Sequence, residues 1–291
     1  MNSARTSTTT SGPALKVGFF GPFGTFTEQA VRSQADLGAG ELVAFRTVPD
    51  VLDAVASGDV EFGVVPIENS IEGTVNFTQD ALSFDYELLI QREIVLNIEH
   101  CLLALPGTKL SDITTVLSIP VATAQCHRYL RENLPDAEVR PATSTAEAVK
   151  LAADRGAGWA ALGSKGAAGI YDCSILADHV EDDEANFTRF GLIASRPERP
   201  ETQSGNWRTS LVFSELGEDR PGALTDALSV FSSRGINLTR IQSHPIRGDL
   251  GRYMFFIDLE GSIDSPEIRE AVDELDGMAE KMKVLGSYPI I

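Results

Sequence analysis

The sequence predicts an α/β protein with two lobes, followed by a separate and smaller ferredoxin-like domain. Up to about residue 195, short apolar segments alternate with helix-like stretches of about ten residues, which is typical of βαβ units and a mostly parallel sheet. Residues 197–206 contain two prolines and little apolar sequence, as a linker does. From residue 207 the order becomes strand, helix, strand, strand, helix, strand, which is the ferredoxin-like order.

The first part of the chain carries clear signals for helix starts. Thr25 with Glu28 and Ser144 with Glu147 have the spacing of capping boxes, and prolines open two further helices. Strands are predicted at 15–20, 41–46, 62–67, 114–118, 158–164 and 186–195, and helices at 25–37, 49–58, 120–134 and 145–154. Residues 93–107 cross between the lobes, and a cleft between two lobes is a common ligand site.

The C-terminal domain completes the predicted organisation. Its strands are predicted at 209–216, 236–246, 251–261 and 283–288, and its helices at 221–235 and 266–278. The predicted units are a disordered tail (1–14), a two-lobed domain (15–196, with the first lobe at about 15–92 and 180–196 and the second at about 93–179), a linker (197–206) and the ferredoxin-like domain (207–291).

The composition is that of a soluble globular protein, with 43% hydrophobic and 23% charged residues. The chain has no long apolar segment, and its Ser/Thr-rich start lacks the apolar region of a signal peptide, so we expect a cytoplasmic protein without a membrane partner. A net charge of −18 argues against a nucleic-acid partner, since binding phosphates needs a basic face. An anionic substrate therefore needs a locally positive pocket.

The cysteines and histidines do not predict a metal site. Cys101, Cys126 and Cys173 are odd in number and far apart, which favours reduced thiols. The four histidines show no ligand-like spacing with cysteines or carboxylates.

Two clusters of polar side chains follow predicted strands of the first lobe. In "GPFGTFTEQA", Thr25 and Thr27 lie at a helix N-terminus, which suits a carboxylate but equally suits a plain capped turn. In "PIENSIEGTVNFT", an acid, an amide and a hydroxyl follow a buried strand as Glu68, Asn69 and Ser70. Polar residues of this kind on a loop indicate either a binding site or a solvated turn.

A third cluster and a later strand add further candidates. In "LSIPVATAQCHRYL", Ser118 ends a strand and Gln125 lies in the next helix, although Ser118 would also serve as a simple helix N-cap. In "ANFTRFGLI", the alternation of a strand places Thr188 and Phe190 on one face and Arg189 on the other. A threonine beside a buried phenylalanine is either a satisfied core hydroxyl or a hydroxyl that contacts a ligand.

Six motifs, in this order, make the sequence resemble the prephenate dehydratases: "GPFGTFTEQA", "VPIENSIEGTVNFT", "AQC", "STAEAV", "ALGS" and "NFTRF". The C-terminal domain resembles an ACT domain in "PGAL" and "GINLTRI", and the resemblance covers about residues 15–288. It implies a two-lobed catalytic domain with a periplasmic-binding-protein-like fold and a regulatory ACT domain. We expect a monofunctional enzyme, because the tail before residue 15 is too short for a chorismate mutase domain.

The implied reaction converts prephenate to phenylpyruvate by loss of water and carbon dioxide, a step of phenylalanine biosynthesis. Aromatisation of the ring drives it, so no cofactor or metal is required, and the enzyme must stabilise charge on the departing oxygen. The resemblance implies that Thr188 is catalytic, and we expect its hydroxyl to donate a hydrogen bond to that oxygen. Asn69 belongs to the same catalytic group, and Glu68 completes a proton relay if burial keeps its carboxyl protonated.

The resemblance also implies a set of residues around the substrate. The expected substrate contacts are Thr25, Ser70, Ser118, Gln125, Ser144, Thr145, Arg189 and Phe190. Arg189 is either the cation that binds the dianionic substrate or part of a structural ion pair, because alternation directs it away from Thr188. The acidic run at 181–184 is expected to be a solvated face.

The ACT-like domain implies control by L-phenylalanine and self-association as a homodimer or homotetramer. The expected effector contacts are Gly222, Ala223, Leu224, Asn237 and Leu238, where a helix start offers free N–H groups to a carboxylate. Two family motifs differ here. The family's "SHP" has Ile119 in place of its histidine, and "ESRP" has Gln242 and His244 in place of its acid and arginine, which leaves the identity and sign of the effector open.

A second interpretation is a non-catalytic amino-acid sensor that keeps the two-lobed fold. Two-lobed solute-binding proteins share this build, and a fold alone does not decide a function. Thr188 and the Glu68–Asn69 pair favour the enzyme, and the lack of a signal peptide disfavours a periplasmic carrier.

Overall fold

The computed structural model describes residues 15–196, 206–216, 221–246 and 252–290, so the predicted tail and most of the predicted linker lie outside the described residues. The strands in chain order are β1 (Lys16–Phe20), β2 (Glu41–Phe45), β3 (Phe62–Asn69), β4 (Gly73–Thr74), β5 (Leu89–Asn97), β6 (Cys101–Ala104), β7 (Thr115–Ser118), β8 (Glu138–Pro141), β9 (Trp159–Gly163), β10 (Ser174–Ala177), β11 (Phe187–Ala194), β12 (Trp207–Ser214), β13 (Leu238–Pro245), β14 (Tyr253–Glu260) and β15 (Lys281–Pro289).

The helices between these strands include all six that the sequence predicts and two short ones that it does not, at Asn76–Asp80 and Lys165–Ile170. They are α1 (Phe26–Ser33), α2 (Ala35–Gly38), α3 (Val48–Ser57), α4 (Asn76–Asp80), α5 (Pro120–Gln125), α6 (His127–Asn133), α7 (Thr145–Arg155), α8 (Lys165–Ile170), α9 (Ala223–Ser232) and α10 (Pro266–Met278), with a π-helical turn at Ala81–Asp85 and a 3-10 turn at Leu110–Asp112.

The strands form three sheets, which confirms the predicted fold class. The first lobe has the order β2-β1-β3-β11-β5 with β4 beside β3, the second lobe has β10-β6-β9-β7-β8, and the ferredoxin-like domain has β13-β14-β12-β15. In the first sheet β1 pairs in parallel with β2 and β3, whereas β11 runs antiparallel to β3 and β5. The chain therefore returns to the first lobe through β11, which brings the "TRF" motif beside the end of β3.

Local signals account for several helix ends. The Thr25 side chain accepts the N–H of Glu28 at 3.3 Å, and the Ser144 side chain accepts the N–H of Glu147 at 3.0 Å, so both predicted N-caps are present. Gly58 ends α3 with φ of 80°, the left-handed conformation that glycine adopts without strain.

Several details differ from the sequence prediction. The helix predicted at 25–37 is interrupted at Gln34, and the helix predicted at 120–134 is interrupted at Cys126. Strand β5 remains in the first sheet to Asn97, so residues 93–97 belong to the first lobe and the chain crosses after them. Strand β8 is exposed along its length and has no apolar alternation that would reveal it.

The ferredoxin-like domain packs one face of its sheet on the first lobe. Met254, Phe256 and Tyr288 share a buried cluster with Ile67 and Ile90 of the first lobe, while α9 and α10 cover the other face of the sheet. All three cysteines are free, and Cys101 and Cys126 are buried. Across the described ranges, no helix has the length and apolar character needed to cross a membrane.

Candidate active site

The polar clusters of both lobes meet at the ends of strands in the two sheets. β3 ends at Asn69, β7 ends at Ser118, and β9 leads directly into Ser164. The Ser164 hydroxyl donates to the carbonyl of Gly24 at 2.7 Å, and the Tyr171 hydroxyl donates to the carbonyl of Phe23 at 2.7 Å. The first loop of one lobe therefore contacts the residues at both ends of α8 in the other lobe.

Asn69 and Thr188 form the central contact of this site. The register of β3 and β11 pairs the two residues, and Asn69 Nδ2 donates to Thr188 Oγ1 at 2.9 Å. Asn69 Oδ1 accepts the N–H groups of Ile71 at 2.9 Å and Glu72 at 3.0 Å, which fixes the orientation of the amide. The Thr188 oxygen is thus an acceptor in this contact, and the proton of its hydroxyl is left for another acceptor.

A chain of buried side chains extends from Asn69 into the second lobe. Asn186 Oδ1 accepts from Asn69 at 2.8 Å, and Asn186 Nδ2 donates to Gln125 Oε1 at 2.9 Å. The same Gln125 oxygen lies 3.2 Å from His100 Nε2. Because Gln125 Oε1 can only accept, His100 Nε2 carries the proton in this contact.

His100 is almost fully buried, and this burial holds the pKa of its imidazole below the ordinary value, so the ring is neutral at physiological pH. His100 Nδ1 and Gln125 Nε2 are buried and have no hydrogen-bond partner among the described residues. Asn186 and His100 were not among the predicted site residues. Asn186 could have been predicted, because it is the first residue of the "NFTRF" motif. For His100, the sequence shows only a polar residue in the segment that crosses between the lobes.

Several residues predicted to contact the substrate instead form hydrogen bonds with backbone groups in the structure. Thr25 and Ser144 cap α1 and α7, and the Thr25 hydroxyl also donates to the carbonyl of Phe20 at 3.2 Å. Thr145 is buried in the first turn of α7. The fully buried Ser118 donates to the carbonyl of Leu162 at 3.0 Å, so it joins β7 to β9.

Ser70 connects the end of β3 to the start of β11. Its hydroxyl accepts the N–H of Phe187 at 2.9 Å and donates to the carbonyl of Ala185 at 2.9 Å. Phe190 shares the face of Thr188, as alternation predicts, but it lies in the core of the first lobe with 2% of its surface exposed. The structure therefore gives Phe190 a packing role, and its burial does not support the predicted substrate contact.

Glu68 and Arg189 lie on the opposite face from Asn69 and Thr188. Arg189 Nη2 lies 2.8 Å from Glu68 Oε2, and Arg189 Nη1 lies 2.8 Å from Asp258 Oδ2 of the ferredoxin-like domain. Of the two roles considered for Arg189, the structure shows the ion pair. Consecutive residues of a strand face opposite sides, so Glu68 is directed away from the Thr188 hydroxyl and the expected relay through Glu68 has no geometric support.

The acidic run is only partly solvated, contrary to expectation. The Glu181 side chain is 4% exposed, and its Oε2 accepts the N–H of His100 at 2.7 Å. Asp182 accepts the N–H of Arg128 at 3.0 Å. These two carboxylates therefore hold the segments where the chain crosses between the lobes. Within the described ranges, no group of three or more His, Cys, Asp or Glu side chains is arranged to hold a metal ion.

The predicted effector residues lie at the start of α9 and of β13. Gly222 caps α9 with φ of 94°, and Ala223 and Leu224 form the first turn of that helix. Asn237 accepts the N–H of Glu260 at 3.0 Å, and Leu238 pairs with Leu259.

The two residues that depart from the family's "ESRP" motif contact the first lobe. Gln242 forms a short hydrogen bond with Thr74, and His244 Nε2 lies 3.2 Å from Asp80 Oδ1. These substitutions therefore lie at the contact between the two domains.

Comparisons with known proteins agree with this arrangement. The family model for prephenate dehydratase matches residues 17–198, and the model for the ACT domain matches residues 215–277. A prephenate dehydratase of Mycobacterium tuberculosis is 38% identical over 283 residues, which cover 94% of this chain and 87% of that protein.

Two solved structures extend the comparison. The crystal structure of a prephenate dehydratase from Arthrobacter aurescens in complex with L-Phe has a TM-score of 0.87 and 35% identity, covering 94% of this chain and 90% of that one. The structure of GqqA, described as a novel type of quorum-quenching acylase, has a TM-score of 0.83 and 30% identity, covering 95% and 98%. The chain belongs to the prephenate dehydratase family, and it is a carbon–oxygen lyase whose catalytic domain is followed by an ACT domain.

Proposed function

We propose that this enzyme converts prephenate to phenylpyruvate with the Thr188 hydroxyl as the hydrogen-bond donor to the departing oxygen. The observation that carries the proposal is the 2.9 Å hydrogen bond from Asn69 to Thr188, because it orients the hydroxyl and leaves its proton unused. As the C4–O bond of prephenate breaks, charge builds on that oxygen, and a donor already in position stabilises it without reorganisation.

Thr188 acts in this proposal by its position and not by acid strength, since a threonine hydroxyl is a weak acid. The C1 carboxylate leaves as carbon dioxide and its bonding electrons complete the aromatic ring, while the C4 oxygen departs as hydroxide and takes up a proton from solvent to become water. The buried chain through Asn186 and Gln125 supports this geometry because each amide is oriented by its neighbour.

The substrate carboxylates need positive potential, and Arg189 is engaged on the other face of the strand pair. We assign them to the N-termini of α1 and α7, where Thr25 and Ser144 are the caps. Unpaired N–H groups and the helix dipole favour an anion at such positions.

The direct test is incubation of the full chain with prephenate, following phenylpyruvate by its enol absorbance in alkali. The proposal predicts saturable turnover. Saturable binding heat without product would instead favour the amino-acid sensor.

We further propose that L-phenylalanine controls the enzyme at the interface of two paired ACT domains. The contacts proposed for it are Gly222, Ala223, Leu224, Asn237 and Leu238. Support comes from the L-Phe complex of the relative from Arthrobacter aurescens. β13 is also an edge strand of its sheet, with Ile241 half exposed, and is therefore available for pairing with a second copy.

Control at this interface requires that the effector bind one arrangement of the domains better than another. Gly222→Val should abolish the response to phenylalanine, because φ of 94° is strained for valine. An unchanged response would place the effector elsewhere. Sedimentation of the full chain, with and without phenylalanine, tests the pairing.

A further inference from the structure

Three arginines and three carboxylates form a largely buried ion cluster where the ACT domain meets the first lobe. Glu68, Glu93 and Arg189 come from the first lobe, and Arg208, Arg240 and Asp258 come from the ACT domain. Arg189 is at its centre: Nη1 lies 2.8 Å from Asp258 Oδ2 and 3.3 Å from Glu93 Oε2, and Nη2 lies 2.8 Å from Glu68 Oε2.

Five of the six side chains in the cluster are 16% exposed or less, and Glu68 is 34% exposed. Asp258 is 2% exposed, and although burial opposes it, Arg189 and Arg240 hold the pKa of Asp258 below its usual range. The Ser210 hydroxyl donates to Asp258 Oδ1 at 2.6 Å and lies 2.9 Å from the Tyr288 hydroxyl. Ions held this closely have few alternative arrangements, so a shift of one is transmitted to its partners.

Each of the two catalytic residues is the chain neighbour of a residue in this cluster. Glu68 precedes Asn69 on β3, and Arg189 follows Thr188 on β11, with Thr188 opposite Asn69 and Arg189 opposite Glu68 in the register. The strand pair therefore presents the catalytic contact on one face and the ion cluster on the other. A displacement of Arg189 or Glu68 that moves the strand backbone also moves Thr188 and Asn69, their chain neighbours.

A register shift between Arg189 and Phe190 interrupts the β3–β11 ladder immediately beside this position. An interrupted ladder has fewer fixed backbone contacts than a regular one, so the orientation of Thr188 and Arg189 depends more on their side-chain partners.

Arg240 links the same cluster to the effector region of the ACT domain. It lies on β13 two residues after Leu238, and its Nε is 3.5 Å from Glu68 Oε1. Asp258, on the neighbouring strand β14, contacts Arg189 and lies 3.9 Å from Arg240 Nη1. A continuous path of contacts therefore joins the start of β13 to Glu68, the chain neighbour of Asn69, through Arg240.

We propose that Arg189, Glu68, Arg240 and Asp258 are positioning residues through which the ACT domain sets the geometry of Thr188 and Asn69. The inference rests on the proposed dehydratase activity and phenylalanine control. In this inference, the ACT domain is coupled to the catalytic contact by these ion pairs specifically, and not by the remaining contacts between the two domains.

The test compares Asp258→Asn with wild type in the full chain, measuring kcat, KM and the fold effect of phenylalanine. The variant keeps the shape of the side chain and removes its charge. We expect kcat to fall roughly tenfold or more, since small misplacement of a catalytic group has effects of this size, with KM nearly unchanged. We also expect a reduced fold effect of phenylalanine, while calorimetry still detects its binding.

Lys283→Gln is the matched control. Lys283 Nζ lies 3.1 Å from Glu87 Oε1 and donates to the carbonyl of Tyr86 at 2.6 Å, so this variant also removes contacts between the domains, away from the catalytic strands. It should retain the wild-type kcat and phenylalanine response. Equal losses in Lys283→Gln and Asp258→Asn would overturn the proposal, because general docking would then explain both.

A folded Asp258→Asn protein with wild-type kcat and response would also overturn it. If Asp258→Asn does not fold, Arg240→Gln decides by the same criteria, since its ionic contacts are longer and a neutral donor remains. A wild-type protein without dehydratase activity would overturn the proposed function together with this inference. If wild type is active but does not respond to phenylalanine, only the proposed control fails, and kcat still tests the positioning role.

Discussion

Asn69 donates to Thr188 across 119 residues of sequence, and both ends of this hydrogen bond are fixed by the backbone. The register of β3 and β11 sets the separation of the two residues, and two backbone N–H groups hold the Asn69 oxygen on the far side of its amide. The Thr188 hydroxyl is therefore oriented before substrate arrives, which is the condition under which one hydrogen-bond donor contributes most to catalysis.

Asn69→Asp reverses the direction of this hydrogen bond while preserving the shape of the side chain. The carboxylate can still accept the N–H groups of Ile71 and Glu72, but toward Thr188 it can only accept, so it takes up the hydroxyl proton. We expect kcat to fall by about 10²–10³, the cost of losing one such donor. Steady-state kinetics on a variant with an unchanged circular dichroism spectrum measures this, and a near-wild-type kcat would exclude the proposed direction of the hydrogen bond.

His100 predicts a pH dependence of stability. Its pKa in the folded protein is depressed by burial, so below the unfolded value of about 6.5 the unfolded state binds the proton more readily than the folded state. The free energy of unfolding should therefore contain a component that is present above pH 6.5 or so and is lost as the pH falls toward the folded pKa.

His100→Gln removes this component while other titrating groups remain. Urea denaturation at a series of pH values should give a wild-type stability that decreases relative to the variant as the solution is acidified. Parallel stability curves for the two proteins would show that His100 is not held neutral.

Gly286 allows β15 of the ACT domain to approach β5 of the first lobe. A Cβ at this position would lie 2.2 Å from the carbonyl oxygen of Ile90, a backbone atom that cannot move aside alone. Gly286→Ala should therefore destabilise the protein by about 1–3 kcal/mol, the usual cost of overpacking. Thermal unfolding of the full chain checks this.

Gly277→Ala is its control. A Cβ there meets nothing within 4 Å, and the position lies in α10, where alanine is favoured over glycine by about 0.5–1 kcal/mol. Its melting temperature should equal or exceed that of wild type. Equal destabilisation by the two variants would argue against a close domain contact at Gly286.

The sequence predicted those features that depend on local pattern. Alternation in "NFTRF" placed Arg189 away from Thr188, and its contact with Glu68 confirms this. Capping side chains located the starts of α1 and α7, and a glycine located the end of α3. Each of these features is determined by residues within a few positions of one another.

Contacts between residues that are far apart in the chain could not be predicted from one sequence. The contact of Asn69 with Thr188 requires the β3–β11 register, and the partners of Glu68 come in part from the ACT domain. The identification of Glu68 as a relay to Thr188 failed because consecutive motif residues were assigned to one site, although strand geometry directs them to opposite faces. His100 joins the site only because the crossing segment brings it to Gln125.

The turnover of prephenate by Thr188→Val, with Thr188→Ser beside it, tests the central claim most directly. Valine preserves the shape of threonine and removes its hydroxyl, whereas serine retains the hydroxyl. The account predicts that kcat falls by about 10²–10³ in the valine variant and is largely kept in the serine variant. A folded Thr188→Val enzyme that forms phenylpyruvate at nearly the wild-type rate would contradict it.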